Sequence, residues 1–222
     1  MGVGIIRRGI LFVLVGPSGC GKSTFCSRLV HEFPEQLRYA VSATSRAPRA
    51  NEQQGTSYHF MSRDEFTARR DAGEFFEWEE THGNLYGTLR SSITDGISSG
   101  RDLLFQIDIR GALNFKKSFP DNTVTIFILP PSYQELKDRL TKRGTVQAEE
   151  LKRRFATARS EYAALLSLRG EMGKIDYVVV NNELEKTYDH IRSIVVAEQA
   201  RYHRMDVGSV AQLCAINDGD GI

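Results

Sequence analysis

Three cysteines are all that this 222-residue chain carries, and Cys20, Cys26 and Cys214 follow neither a metal-ligand nor a disulfide spacing. That argues against a disulfide scaffold or a zinc module and fits reduced thiols in a cytosolic protein. A charge bias is also missing. Lys plus Arg number 29 against 28 Asp plus Glu, so the whole chain predicts neither nucleic acid nor a membrane surface as partner. Any anion site must be a local cluster. No apolar run is long enough to span a bilayer. The start, MGVGIIRRGILFVLVG, places two arginines before apolar residues as an export signal does, but the run is six residues long and leads straight into a glycine-rich loop that cleavage would destroy. Ile6 stands where a myristoylation pattern needs Ser or Thr. Repeats and low-complexity tracts are absent. A cytoplasmic location is the expectation, and nothing in the sequence sets an oligomeric state.

What is present is the profile of one globular domain, with 41% hydrophobic and 26% charged residues. The β-rich runs ILFVLV (10–15), LLFQIDI (103–109), VTIFIL (124–129) and YVVV (177–180) alternate with helical patterns. Near-continuous apolar strands of this kind predict an α/β fold, a parallel sheet covered by helices on both faces. RYAVSA (38–43) reads as a fifth strand. Ser62–Glu65 and Ser132–Glu135 read as capping boxes. Residues 135–143 and 148–166 read as helices with basic faces, and 183–204 as a closing helix with Leu184, Ile191, Ile194 and Val195 on one face. Residues 44–88 break the alternation. They are polar, aromatic and turn-rich, with HGN (82–84) as a turn between short strands, and read as an insertion. Residues 205–222 are expected to form a mobile tail.

The residues GPSGCGKST (16–24) match the phosphate-loop pattern between a strand and a helix. Gly16, Pro17, Ser18, Gly19, Cys20 and Gly21 form the turn whose backbone N–H groups face the β- and γ-phosphates. Lys22 adds a compact positive charge, Ser23 a hydroxyl for Mg²⁺, and Thr24 continues into the helix, roughly 22–32, whose dipole favours the anion. Cys20, near that helix N-terminus, is a candidate for a lowered thiol pKa. The loop implies nucleotide binding. It leaves open hydrolysis against transfer, and the acceptor.

The insertion speaks to the acceptor. In VSATSRAPR (41–49), Arg46 and Arg49 stand three apart in a non-helical loop and can fork onto one phosphate, with Tyr58 and Tyr86 as further donors. In FFEWEETHGNLYGT (75–88), Glu77 sits between aromatics. A carboxylate held there offers two acceptors to the N1–H and 2-amino group of guanine, a donor pair adenine lacks, while Ser42 or Thr88 can donate to O6.

These motifs, with LFQIDIRGA, IFILPPS, RLTKRGT and YVVVNN, occur in the order found in guanylate kinases, and the resemblance covers about residues 9–204. It implies Mg²⁺-dependent phosphorylation of GMP (or dGMP) by ATP. It further implies one domain with a core of about 9–43, 89–135 and 167–204, a GMP-binding insertion of about 44–88 and a helical, arginine-rich lid of about 136–166. Guanine contacts are implied for Ser42, Glu77 and Thr88, and phosphate contacts for Arg46, Arg49, Tyr58 and Tyr86. Asp108 is implied as the acidic residue organising Mg²⁺ with Ser23, and Asn181 as an adenine-side contact. Two positions depart from the family pattern. Gln106 stands where Asp or Glu is usual near the guanine, and Arg110 replaces a Gln.

RLTKRGT (139–145) and ELKRRFATAR (150–159) concentrate arginines. A solvated helical face is the ordinary reading of such runs. Phosphoryl transfer gives another, since stabilisation there is largely positioning and electrostatics. By resemblance Arg143, Arg154 and Arg159 close over the phosphates, joining Lys22 as catalytic residues. Two alternatives stay open at this point: a catalytically silent phosphopeptide-binding module, and a small phosphate-loop kinase with another acceptor.

Overall fold

Leu11–Val15 contains no polar side chain, so a strand made of it must be buried on both faces; it forms β1 at the centre of a sheet, every residue fully buried. In the computed structural model the described residues are 7–81, 83–142, 148–171 and 173–206. After β1 come α1 (Lys22–Glu32), β2 (Leu37–Tyr39), β3 (Ala43–Thr44), β4 (His59–Phe60) and α2 (Arg63–Asp71). Next follow β5 (Phe75–Thr81), β6 (Asn84–Leu89), α3 (Arg90–Ser98), β7 (Asp102–Gln106) and α4 (Ile109–Ser118). The chain continues through β8 (Thr123–Leu129), α5 (Tyr133–Lys142), α6 (Ala148–Ser167), β9 (Tyr177–Val180) and α7 (Leu184–Gln199) to a short 3₁₀ turn at Tyr202–Arg204.

Five strands form a parallel sheet in the order β2-β7-β1-β8-β9. Alternation along β1 supplies both layers of core. Phe12 and Leu14 face Phe25, Leu29, Ile191 and Val195 of α1 and α7. Leu11, Val13 and Val15 face Ile93, Ile109, Ala112 and Phe115 of α3 and α4. The α/β architecture expected from sequence is therefore the one observed, with β1 and β7 adjacent so that their C-terminal ends open on one crevice.

A second, mixed sheet, β4-β3-β6-β5, is built from the stretch that broke the strand–helix alternation. Its small core joins Ala43, Phe66, Phe75, Leu85 and Leu89, with Phe66 and Phe75 stacked at 4.2 Å. A bulge between Phe75 and Glu77 links the two cores. The extra residue, Phe76, turns to the main core and packs on Phe115 at 4.4 Å, while Phe75 stays in the small one.

Several expectations need correction. RYAVSA is not one strand: β2 joins the large sheet and β3 the small one. The 103–109 run ends as a strand at Gln106, because Asp108 caps α4 by accepting the Gly111 N–H at 2.8 Å. Ser62 and Ser132 each cap their helix through Glu65 N and Glu135 N, but the two glutamates pair forward with Arg69 and Arg139 rather than back. The closing helix stops at Gln199, and Leu184 is exposed, so Tyr188, Ile191 and Val195 form its buried stripe. Met205, placed in the tail from sequence, bridges to Arg7; 207–222, and His82 of the HGN turn, lie outside the described residues. Among the described residues no helix is long and apolar enough to cross a membrane.

Candidate active site

The turn after β1 needs glycine where the backbone is left-handed or crowded. Gly16 has φ +135°, and a Cβ there would stand 2.3 Å from the Ile128 carbonyl oxygen; Gly21 has φ +104° and starts α1. The loop is braced from behind. Asn181, buried after β9, donates its side-chain N–H to the Cys20 carbonyl at 2.9 Å, and Arg139 donates to the Asn181 carbonyl at 3.1 Å. Asn181 is thus turned to the loop backbone rather than to the cleft. The Lys22 ammonium folds back onto the carbonyls of Gly16 and Pro17. Cys20 and Cys26 are fully buried free thiols. Burial pushes the Cys20 thiol up against the opposing pull of Lys22, the reverse of the activation its position suggested, and pushes Cys26 up to about 12.

In front of the loop lies a cleft of about 750 Å³, lined by Ser18, Lys22, Ser23 and Thr24 on one side and, on the other, by Ser42 just before β3 and by Glu77, Tyr86 and Thr88 of the small sheet. Gln106 and Asp108 form its floor between them. Their placement is the reverse of the expectation. Gln106, at the end of β7, accepts a hydrogen bond from the Ser23 hydroxyl at 3.0 Å. Asp108, two residues on and past the strand end, turns to the other side. Its Oδ1 and the Oε2 of Glu77 lie 3.3 and 3.4 Å from where a Cβ on Gly111 would be. The strand end faces the phosphate loop, and the cap of α4 faces the insertion.

Glu77 accepts from Thr88 Oγ1 at 3.3 Å. Its carboxyl is pushed above the usual range, first by burial and then by the nearby charges of Asp108 and Glu79, with the Thr88 bond opposing. The bulge at Phe76 sets this geometry, because it brings Glu77 opposite Thr88 in the register.

Arg46, Tyr58 and Tyr86 cluster beside the cleft. The Arg46 guanidinium lies 5.6 Å from the Tyr58 ring centre, and the two tyrosine rings meet edge-on at 6.2 Å. Arg46 Nη2 donates to both carboxylate oxygens of Glu52, at 2.8 and 2.9 Å, which holds the Glu52 carboxyl below its usual range, while Nη1 donates to the Ala47 carbonyl. Arg49 meets the same carboxylate through its backbone N–H at 2.8 Å and leaves its side chain exposed.

The described arginines of α6 expected at the phosphates do not line the cleft. Arg159 stands 5.8 Å from the Tyr133 ring and is exposed, Arg154 is half-buried, and neither lines the cleft; Arg143 lies outside the described residues. The helix α6 presents Thr157 and Glu161 to the cleft instead. These two stand four apart on one helical face, a spacing that the surrounding arginine run obscures in the sequence. Burial raises the Glu161 carboxyl, Lys22 lowers it and Asp108 raises it further. Arg110, the departure from the family pattern, is exposed, and nothing in the structure explains it.

Comparison with known proteins agrees with this geometry. The guanylate kinase family profile matches residues 8–198. The chain is 44% identical over 198 residues to a guanylate kinase of Bartonella quintana (strain Toulouse), covering 89% of this chain and 86% of that one. It is 42% identical over 198 residues to that of Desulfitobacterium hafniense (strain Y51), covering 89% and 94%. The crystal structure of guanylate kinase from Anaplasma phagocytophilum superposes with a TM-score of 0.64 at 30% identity, covering 96% of this chain and 99% of that one. A phosphate loop and a carboxylate-lined acceptor pocket in one cleft, on a chain matched over most of its length, place this protein in the guanylate kinase family.

Proposed function

We propose that the chain transfers the γ-phosphoryl group of ATP to GMP or dGMP, giving ADP and GDP or dGDP. The observation that carries this reading is the single cleft shared by the phosphate loop and the Glu77–Asp108 pair. GMP binds with its guanine edge toward those carboxylates, which accept from N1–H and the 2-amino group, while Ser42 and Thr88 serve O6. Adenine would leave both carboxylates without donors. Arg46, Arg49, Tyr58 and Tyr86 hold the GMP phosphate, for which Arg46 must release Glu52 and turn its guanidinium fork to the phosphate. Asp108 therefore takes the guanine-side role and Gln106 the loop side.

At the donor end Lys22 leaves the Gly16 and Pro17 carbonyls for the β- and γ-phosphates, which are anionic and stronger acceptors. A GMP phosphate oxygen attacks the γ-phosphorus in line, the bond to the β–γ bridging oxygen breaks, and ADP carries away the negative charge. No residue needs to become phosphorylated. Magnesium fits the oxygens present. Ser23 and Gln106 offer hard neutral oxygens, and among the described residues no three or more His, Cys, Asp or Glu side chains are grouped so that they could hold a metal ion by themselves. Such a site suits an ion held mostly by substrate phosphates and water, and when bound it neutralises charge on the β- and γ-phosphates. Arg143, Arg154 and Arg159 close over the phosphates as the lid, about 136–166, moves inward and excludes water. The GMP-binding insertion, about 44–88, closes from the opposite side of the core. Free buried thiols and ATP as donor suit a cytoplasmic setting.

Coupled ADP production from ATP with GMP, AMP, UMP and dTMP as separate acceptors tests this. GMP is expected to exceed the others by orders of magnitude; AMP or dTMP outperforming GMP would overturn it. A silent phosphopeptide-binding module is disfavoured by the intact loop, and failure to bind ATP with Mg²⁺ would favour it.

A further inference from the structure

Among the described residues lining the cleft, one buried side-chain oxygen has no partner that GMP phosphorylation as described would supply. Glu161 of α6 is 8% exposed and lines the cleft, and its Oε2 is buried with no hydrogen bond. A buried carboxylate oxygen without a donor is costly, so native structures rarely keep one unless a partner arrives with a ligand. The phosphates of ATP and GMP are acceptors and cannot be that partner. Lys22 faces Glu161 electrostatically but already donates to two loop carbonyls, and the phosphates draw it away. A nucleotide also brings ribose hydroxyls and base N–H groups. Glu161, however, lies within the electrostatic reach of Lys22 in the phosphate loop, and the donors that arrive beside the phosphates are the hydration waters of the divalent cation.

A second observation points the same way. In phosphate-loop enzymes a strand-end aspartate commonly joins the loop Ser or Thr in holding Mg²⁺. Here the strand-end partner of Ser23 is the uncharged amide of Gln106, at 3.0 Å. Of the other carboxylates lining the cleft, Glu77 and Asp108 are held by other contacts, although the charge of Asp108 reaches Glu161. Glu77 and Asp108 converge beside Gly111 at the acceptor end, and Glu79 is an exposed residue of β5. Glu161 alone among the described cleft carboxylates comes from the lid.

We propose that Glu161 is a positioning residue of the donor site: it accepts hydrogen bonds from water bound to the divalent cation of ATP and supplies the negative charge that Gln106 lacks. This rests on the donor half of the function proposed above and is independent of GMP. Because Glu161 rides on α6, the same contact ties cation binding to the lid, and the charge division between floor and lid is a feature of this chain's own residues.

The test is Mn²⁺ binding to the full chain, read by electron paramagnetic resonance in the presence of β,γ-methylene-ATP. Glu161→Gln is expected to weaken Mn²⁺ binding to the nucleotide complex by about tenfold, the scale of losing an outer-shell ligand partner. Binding of the analogue without metal should stay within about twofold, since the substitution keeps the side-chain shape. Gln106→Glu in the Glu161→Gln background should restore Mn²⁺ affinity, a coupling that a merely structural role would not produce. If Glu161→Gln fails to fold by circular dichroism, Glu161→Asp, one methylene shorter, should weaken Mn²⁺ binding in the same direction. Wild-type Mn²⁺ affinity in the folded Glu161 variant, or no recovery in the double variant, overturns the proposal. GMP takes no part in this measurement, so its failure and a failure of GMP phosphorylation are separately visible.

Discussion

Asp108 and Glu77 reach the same point from different sheets: Oδ1 of the first and Oε2 of the second lie 3.3 and 3.4 Å from the place a Cβ on Gly111 would take. One is the cap of a helix in the main domain and the other follows a bulge in the inserted sheet. In the function proposed above, this convergence is a paired acceptor for the paired donor of guanine. Glu77→Gln and Asp108→Asn should each lower kcat/KM for GMP by about 10- to 100-fold, the scale of a hydrogen bond to a charged group, with KM for ATP within about twofold. Steady-state kinetics in both substrates check this, and unchanged GMP kinetics for either variant would remove that residue from base recognition.

The raised carboxyl of Glu77 gives a pH dependence of defined sign. Burial shifts it upward, so Glu77 takes up a proton at a higher pH than an ordinary glutamate and then loses one acceptor. KM for GMP should rise as pH falls from neutrality into the weakly acidic range, and the rise should flatten in Glu77→Gln. The folding sign is opposite. A carboxyl raised in the folded state opposes stability above its folded pKa, and that penalty lessens as pH falls through it. Glu77→Gln should therefore melt no lower than wild type at neutral pH.

Arg46 is held by Glu52, over the Tyr58 ring, with Tyr86 edge-on to that ring. Arg46→Lys keeps the charge and loses the fork, so KM for GMP should rise about tenfold or more with kcat little changed. An equal fall in kcat would show that Arg46 acts in the transition state and not in holding GMP.

Gly16→Ala places a methyl 2.3 Å from the Ile128 carbonyl oxygen at a left-handed backbone position. That oxygen belongs to the backbone of β8, so the loop itself must shift. ATP affinity, measured by calorimetry, should fall at least about tenfold, given a strain of one to two kcal/mol from conformation alone.

Asp102 anchors the sheet away from the cleft. It is fully buried, forks with Arg7 at 2.6 and 2.7 Å, and accepts from Ile10 N at 2.9 Å and Gln199 Nε2 at 2.7 Å. Asp102→Ala strands a guanidinium and two other donors, which should cost about 3–5 kcal/mol. The thermal midpoint should drop by about 10 °C in a domain of this size. A change under about 2 °C would mean that the network is dispensable.

The large sheet was legible in the sequence because its strands are uninterrupted apolar runs, and the phosphate loop because its glycines and Lys22 stand at fixed spacing. Two features were not. The run 38–43 looked continuous, yet its residues divide between two sheets, a choice made by long-range pairing of β2 with β7 and β3 with β6. Gln106 turns to the phosphate loop and Asp108 to the insertion, opposite to the expectation, because the exit of β7 into the cap of α4 sets which way each side chain turns. Glu161 was hidden among the arginines of its helix; burial, not sequence pattern, singles it out.

The central claim is that one cleft joins a phosphate loop to a carboxylate pair that reads guanine. Comparing kcat/KM for GMP, IMP and AMP at saturating ATP and Mg²⁺ tests it most directly. IMP keeps N1–H and lacks the 2-amino group, so it should fall about 10- to 100-fold below GMP, with AMP lower again. IMP matching GMP, or AMP matching IMP, would contradict the account.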